Sequence, residues 1–501
     1  MMKISPVFSD GAVLCRRKEI RIFGEAEEGT LVRCELLGPK GVLMARGEGE
    51  TRNGRFLVIL PPQEAAVGCR LVIAGGGEAF TALDICVGEV FLAGGQSNME
   101  LELQNADEGQ TLIAGHVNPL VRYFNVPKFG FFGEERTAAW QNARWEAIGP
   151  GRGKDMSAAA YFFAMTLQRE KNVPVGIIDS YLGGTSVTCW MDAAWLERTG
   201  EGARYLREYA EETKGITMED FLKKESVFRH NLDQWNADMA EWKAAHPGGA
   251  WEDMVAEIGE CPWDPPKGPA SPYRPAGLYD TMIAPLTPLA LTGVLYYQGE
   301  EDTWRTEKYD TLMMSLIDRW RAAFEEEELP FLFVQLPMWI AKGAEDSRTW
   351  PALRLCQSRV RDRMRNTGMV CLLDQGEFDN IHPTNKRVVG ERLFELAKRV
   401  VYGETDSAEA PRVTGRRIEG SMMTLKTDQA LMSRDGKEPA FLELAGADGV
   451  FRPARAMLEG PVLHLTAAGV SHPLHCRYAW TDYGAVNLFG ANGLPLEPFL
   501  F

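Results

Sequence analysis

Val90-Phe91-Leu92-Ala93-Gly94-Gly95-Gln96-Ser97-Asn98-Met99-Glu100 passes from an unbroken apolar run into paired glycines and then into polar residues. A strand apolar at every position is buried on both faces, as in a parallel sheet with helices above and below it. In such sheets ligands bind outside the carboxyl ends of the strands, so the turn after Ala93 is where chemistry is expected. Glycines permit a tight turn there. Ser97, just behind them, reads either as a nucleophile or as the N-cap of the next helix.

The same rhythm continues outward. Val175-Gly176-Ile177-Ile178-Asp179 ends near Gly183-Gly184, and Thr292-Gly293-Val294-Leu295-Tyr296-Tyr297 ends at Gln298-Gly299. Phe331 to Gln335 and Met369 to Leu373 are two further apolar runs, with helix-like segments at Ala158 to Leu167, 307–325 and 384–400. Strands alternating with helices predict an α/β domain with a doubly wound parallel sheet over residues 87–402. Residues 1–86 contain β-rich runs (Ile20 to Phe23, Leu31 to Leu36, Arg55 to Leu60) with Gly-rich turns and predict a small N-terminal β-sandwich. Residues 403–501 return to short strands (Met422 to Lys426, Ala440 to Leu444, Val462 to Leu465) and predict a C-terminal β-rich domain. An insertion at about 196–275, charged and carrying Trp235, Trp242, Trp251 and Trp263, is expected either to shade the site or to be a plain surface excursion.

Composition narrows the function. The chain has 501 residues, 45% hydrophobic and 25% charged, an ordinary globular balance with room for about three domains. Fifty-four basic and seventy acidic residues leave −16, which argues against nucleic acid or an anionic membrane as partner. No run reaches the roughly 18 apolar residues of a membrane span, and Met1 to Pro6 opens no apolar leader. Nine cysteines lie dispersed from Cys15 to Cys476 with no CxxC pair. That pattern fits neither a disulfide framework nor a zinc knuckle, and the expected location is the cytoplasm. HExxH, P-loop, GxGxxG and GxSxG motifs are all missing, and no cofactor or metal is expected.

A serine hydroxyl needs a base, and the chain has seven histidines: His116, His230, His246, His382, His464, His472 and His475. His382 alone follows a predicted strand of the sheet, with Asp379 three residues before it. That spacing allows one loop to present an imidazole and the carboxylate that orients it, though an isolated DxxH is more often a surface pair. Acyl transfer also needs donors for an oxyanion. The Ser97 amide, the Gly183-Gly184-Thr185-Ser186 turn and the Gln298 side chain are candidates; a simple turn and a strand-end hydrogen bonder are the plainer alternatives.

Four ordered segments resemble the sialate O-acetylesterase family of carbohydrate esterases, in the SGNH hydrolase superfamily. They are Gly95-Gln96-Ser97-Asn98-Met99, Leu182-Gly183-Gly184-Thr185 with Trp190, Tyr297-Gln298-Gly299-Glu300, and Ile381-His382-Pro383-Thr384-Asn385-Lys386 continuing to Leu393. Leu182 stands where the family has Trp. Phe8-Ser9-Asp10 and Asn492-Gly493-Leu494-Pro495 are similar to the family's flanking β-domains.

The resemblance implies an SGNH-type fold and a serine esterase that removes acetyl groups from mono- or oligosaccharides. Ser97 would be the nucleophile, His382 the base and Asp379 its orienter, with Glu377 or Asp374 as substitutes. Ser97, Gly184 and Gln298 would form the oxyanion hole, and Gln96, Trp190 and Glu300 would face substrate. Trp190, Trp304 and Tyr297 are either sugar-stacking rings or core, and Arg305 and Arg319 are the nearest cations to the blocks. Two rivals are a glycoside hydrolase using Glu300, Glu301 or Asp302 and a non-catalytic carbohydrate-binding protein.

Overall fold

The structure is a computed structural model, and it describes residues 2–246, 249–404 and 408–501. Near the start, β1 (Leu31–Leu37), β2 (Leu43–Glu50) and β3 (Ala66–Gly75) pair antiparallel. β1 buries Val32, Cys34 and Leu36 and exposes the residues between them, the period-two pattern of a half-buried strand. A small second sheet joins Lys3–Ile4, Ile20–Glu25 and Arg55–Leu60. The β3 strand then pairs with β4 (Glu78–Gly95), which crosses position 86/87 without interruption. Its second half is buried at every residue from Ile85 to Gly95 and becomes the middle strand of the central sheet. Val13–Cys15 pairs alongside Cys86–Gly88.

The central sheet adds β5 (Asn118–Asn125), β6 (Trp145–Ile148), β7 (Val175–Tyr181), β8 (Gly293–Tyr297), β9 (Phe331–Val334) and β10 (Thr367–Val370), in the order β6-β5-β7-β4-β8-β9-β10. All neighbours are parallel except the edge pair β6 and β5. The sheet is therefore mixed, where a wholly parallel one was expected. β5 and β6 escaped the sequence reading because polar and charged residues (Arg122, Asn125, Glu146) interrupt their apolar pattern.

The chain winds away from β4 in both directions, so the strand-order switch lies at β4. Register does the rest: Tyr181 of β7 and Tyr297 of β8 both stand opposite Gly95. Three glycine-bearing turns thus leave the sheet at one level.

Helices cover both faces. A short α1 (Ser97–Glu100) follows β4. On one face α2 (Ala158–Lys171), capped by Ser157 Oγ accepting from the Ala160 amide, sets Phe163 edge-on to Phe91 at 4.8 Å. The inserted segment forms α3 (Gly200–Glu212), α4 (Met218–Ala245) and α5 (Trp251–Ile258) around a small core of Trp235, Trp242 and Met254. On the opposite face of the sheet α6 (Tyr309–Ala323) seats Trp320 beneath Gly94. Then come α7 (Thr349–Arg363) and α8 (Lys386–Val400), the latter packed tightly on α2 at Gly390. Seven C-terminal strands between Val413 and Leu500 form a separate antiparallel sheet with its own core.

Candidate active site

Gly95 has φ +133°, and a Cβ there would lie 2.1 Å from the Tyr297 carbonyl oxygen, so the turn tolerates no side chain. Gln96 donates its amide to Tyr297 O at 3.0 Å and is itself the N-cap of α1, without a side-chain cap bond. Ser97 therefore opens the helix rather than capping it. Its hydroxyl bonds to no group among the described residues, and its amide points out of the first helical turn with the orphan donors that every helix start has.

The turn after β7 lies directly beside it. A Cβ built on Gly183 would meet Ser97 Cβ at 3.2 Å. The Gly183 amide is taken by Glu100 Oε2, and Glu100 in turn pairs with Lys128. Gly184, at φ +67°, has an amide with no partner among the described residues. Among the described residues, the Ser97 hydroxyl and the Ser97 and Gly184 N–H groups are thus all without partners, on two adjoining turns.

Gln298 sits differently from its expected role. It is 1% exposed, and its amide donates to Gln96 Oε1 (3.2 Å), Thr185 O (3.1 Å) and Asp302, while its oxygen accepts from Tyr309 at 2.8 Å. With every hydrogen-bonding atom engaged, it braces the turns and has no donor left for an oxyanion. Gln96 is likewise buried, its oxygen accepting from the Gly299 and Glu301 amides as well. Asp302 accepts from Ser186 and Val187 in addition to Gln298.

Asn98 stitches the fourth segment on. Its amide nitrogen donates to Glu300 Oε1 and to Ile381 O (2.9 Å), and its oxygen accepts from Lys386 Nζ at 2.6 Å. Because Ile381 precedes His382 and Asn98 follows Ser97, the segments carrying the nucleophile and base candidates adjoin each other. His382 is partly exposed, and its ring makes no hydrogen bond among the described residues. Burial, reinforced by the Lys386 and Lys243 ammonium groups, pushes its pKa down to about 4. Burial also lowers Lys386 to about 7, against the pull of Glu300 and Glu377, and raises Glu300.

None of the three carboxylates proposed to orient the imidazole bonds to it. Asp379, at φ +61°, accepts from the Lys342 amide at 2.8 Å and returns its own amide to Ile340 O. Glu377 accepts from Asn380 and the Thr384 amide, and Asp374 is locked to Arg392. These acids shape the loop instead: Asn380, held by Glu377, accepts from the His382 amide at 3.0 Å. A loop of the C-terminal region supports the neighbouring loop, where Asp482 accepts from Ser347, Arg348 and Trp350 amides.

The remaining candidates separate cleanly. Trp190 is fully buried, donating to Thr185 Oγ1 and packed edge-on to Trp320, so it is core and not a sugar contact. Tyr297 is buried too, whereas Trp304 is exposed with Arg305 stacked on its ring. Glu300 and Asp302 are buried and hydrogen-bonded, and only Glu301 of that trio is partly open, its carboxyl pushed up to about 7 by burial and by Asp302. Among the described residues, this trio therefore offers one partly open carboxyl, where a glycosidase needs two across the sugar. Arg305 pairs with Glu208 and Arg319 with Asp192, so neither is a free cation.

A family model for carbohydrate esterases, described as sialic acid-specific acetylesterases, matches residues 263–399, the portion carrying Gln298, Glu300 and His382. A carbohydrate acetylesterase of Xanthomonas citri superposes with a TM-score of 0.78 at 28% identity, covering 100% of this chain and 99% of that one. The chain is an esterase that resembles the sialate O-acetylesterases. The mouse sialate O-acetylesterase is 26% identical over 83% of this chain and 78% of its own length. The rat protein is 27% identical over 70% of this chain and 63% of its own length.

In this esterase the sequence reading passed over three contributors. Asn98 and Lys386 lay inside the quoted segments, but nothing in a linear pattern shows that an amide 288 residues away bridges a buried Lys and a buried Glu. Trp263 of the insertion lies against Gly184, a contact with no local signature.

Proposed function

We propose that the esterase is an SGNH-type serine enzyme that hydrolyses O-acetyl groups on sugars through an acetyl-enzyme. The observation that carries this reading is a Ser97 hydroxyl without a partner among the described residues, beside the Gly183-Gly184 turn, with Asn98 tying its helix to the His382 loop. Ser97 Oγ attacks the acetyl carbonyl as His382 takes its proton. The oxyanion is stabilised by the Ser97 and Gly184 N–H groups, two donors rather than three. Collapse expels the sugar oxygen, which takes the proton from His382, and leaves acetyl on Ser97. Water, deprotonated by His382, then attacks the ester, and acetate departs as Ser97 recovers its proton. A depressed pKa keeps His382 at neutral pH in the neutral form, the one that can take the Ser97 proton.

The relatives' names point to acetylated sialic acids as substrates. Lys243, exposed on α4 and without a carboxylate partner among the described residues, places a positive charge on the His382 side that suits a sugar carboxylate. Cytoplasmic action on imported acetylated sugars accords with nine unpaired cysteines.

Labelling by a serine-directed phosphonate, mapped by mass spectrometry, is expected at Ser97 and nowhere else. Ser97→Ala should lower acetate release by at least about 10³-fold. Undiminished turnover by that variant would overturn the serine mechanism. Acetate release from a panel of acetylated sialic acids and xylo- and manno-oligosaccharides identifies the sugar.

A further inference from the structure

The insertion reaches the cleft at two places. On one side, Trp263 lies on the oxyanion turn: a Cβ on Gly184 would meet its Cζ2 at 2.1 Å and its Cε2 and Cη2 at 3.0 Å. On the other, Glu252 of α5 pairs with Lys342, whose amide is held by Asp379 of the His382 loop. The inserted segment therefore touches the Gly184 turn through Trp263 and, through Lys342, the loop beside Asp379.

Trp263 is held firmly yet left open. Prolines flank it in Cys261-Pro262-Trp263-Asp264-Pro265-Pro266, and its amide bonds back to Cys261 O at 2.7 Å. Phe228 of α4 and Tyr273 meet the ring edge-on at 5.8 and 5.6 Å. Even so, the residue is 44% exposed, and its indole N–H has no partner among the described residues. A fixed aromatic face with a free donor is the combination that packs on a sugar's C–H face while hydrogen-bonding a hydroxyl. Of the other aromatic candidates, Trp190 and Tyr297 are buried, and Trp304 has Arg305 stacked on its ring and no contact with the Gly184 turn in its favour.

We infer that Trp263 is the sugar-binding platform of this esterase: the ring of the acetylated sugar packs on its indole while the acetyl group enters between Ser97 and Gly184. This rests on the serine reading above and assigns the leaving-group side of the same site. The insertion then supplies specificity for a carbohydrate alcohol, and the chemical centre below it is indifferent to the alcohol.

The test compares two substrates, an acetylated oligosaccharide and nitrophenyl acetate, whose leaving group carries no sugar. For Trp263→Ala, the loss of kcat/KM on the sugar ester should exceed the loss on nitrophenyl acetate by at least about tenfold, chiefly through KM. Trp263→Phe, which keeps a ring, should recover part of that selectivity. Equal losses on both substrates would mean that Trp263 only buttresses Gly184, and no loss on either would mean that the sugar binds elsewhere; both overturn the inference. Ser97→Ala run alongside separates the two claims: activity surviving in that variant removes the serine mechanism, whatever Trp263 does.

Discussion

The side-chain amide of Asn98 donates to the main-chain carbonyl of Ile381 at 2.9 Å, joining the residue after Ser97 to the residue before His382. The same side chain separates two buried charges, donating to Glu300 and accepting from Lys386. A side chain that satisfies two buried ions and positions a loop is hard to replace. Asn98→Ala should cost at least about 2 kcal/mol in urea denaturation, since hydrogen bonds to charged groups are worth about 1.5–3 kcal/mol each. Its kcat should fall about 10- to 100-fold through misplacement of His382.

Asp379 offers the opposite expectation. Its carboxylate holds the Lys342 amide, an acceptor role that asparagine can also fill. Asp379→Asn should lower kcat/KM by less than about tenfold, far from the roughly 10⁴-fold loss seen where a carboxylate orients the catalytic imidazole. A loss above a thousandfold would show that this carboxylate swings to His382 during turnover.

Gln298 is a brace, and its removal should be felt in stability first. Gln298→Ala leaves Tyr309 and Asp302 each one partner short in a buried network. The expected cost is about 1–3 kcal/mol of unfolding free energy. An oxyanion donor behaves otherwise: losing one lowers kcat by about 10²–10³ with stability kept. Denaturation and kinetics on the same variant distinguish the two.

The pH profile follows from His382. The neutral ring is the active form, and burial with Lys386 and Lys243 lowers its pKa from 6.5 to about 4. The acid limb of kcat/KM on nitrophenyl acetate should therefore fall near pH 4. Lys243→Ala, removing an exposed positive charge, should move the limb upward. Folding shows the same linkage: between about pH 4 and 6.5 the unfolded chain binds the proton that the folded chain refuses, so this group adds stability as pH rises through that window. A wild-type limb at 6.5 would contradict the buried, cation-flanked setting.

Much of this was legible in the chain. Val90 to Gly94 and Val175 to Ile178 announce buried strands because they are unbroken apolar runs, and the turns beyond them carry Ser97 and Gly184. β5 and β6, the edge strand and its neighbour, were not legible, because Arg122 and Glu146 interrupt their pattern. At the site, residue types were readable but their hydrogen-bond partners were not. Gln298 and Asp379 have the right chemistry for donor and orienter, yet packing spends them on Gln96, Thr185 and the Lys342 amide. Trp190 illustrates the same limit, since burial is decided by Trp320 and Thr185, contacts far apart in sequence or invisible in it.

The uninterrupted β4 strand has a practical bearing on how this enzyme can be dissected. One ribbon of backbone is zipped to β3 at its beginning and presents Gly95 and Ser97 at its end. Cutting the gene ahead of residue 87 would leave a frayed stump in the middle of the central sheet, and would also strip away the Val13–Cys15 segment that clasps its flank. The amino-terminal module is therefore not a detachable accessory. Searches for a minimal hydrolytic fragment by trimming from that end should yield insoluble protein, whereas shortening within the inserted helices is the route that spares the scaffold.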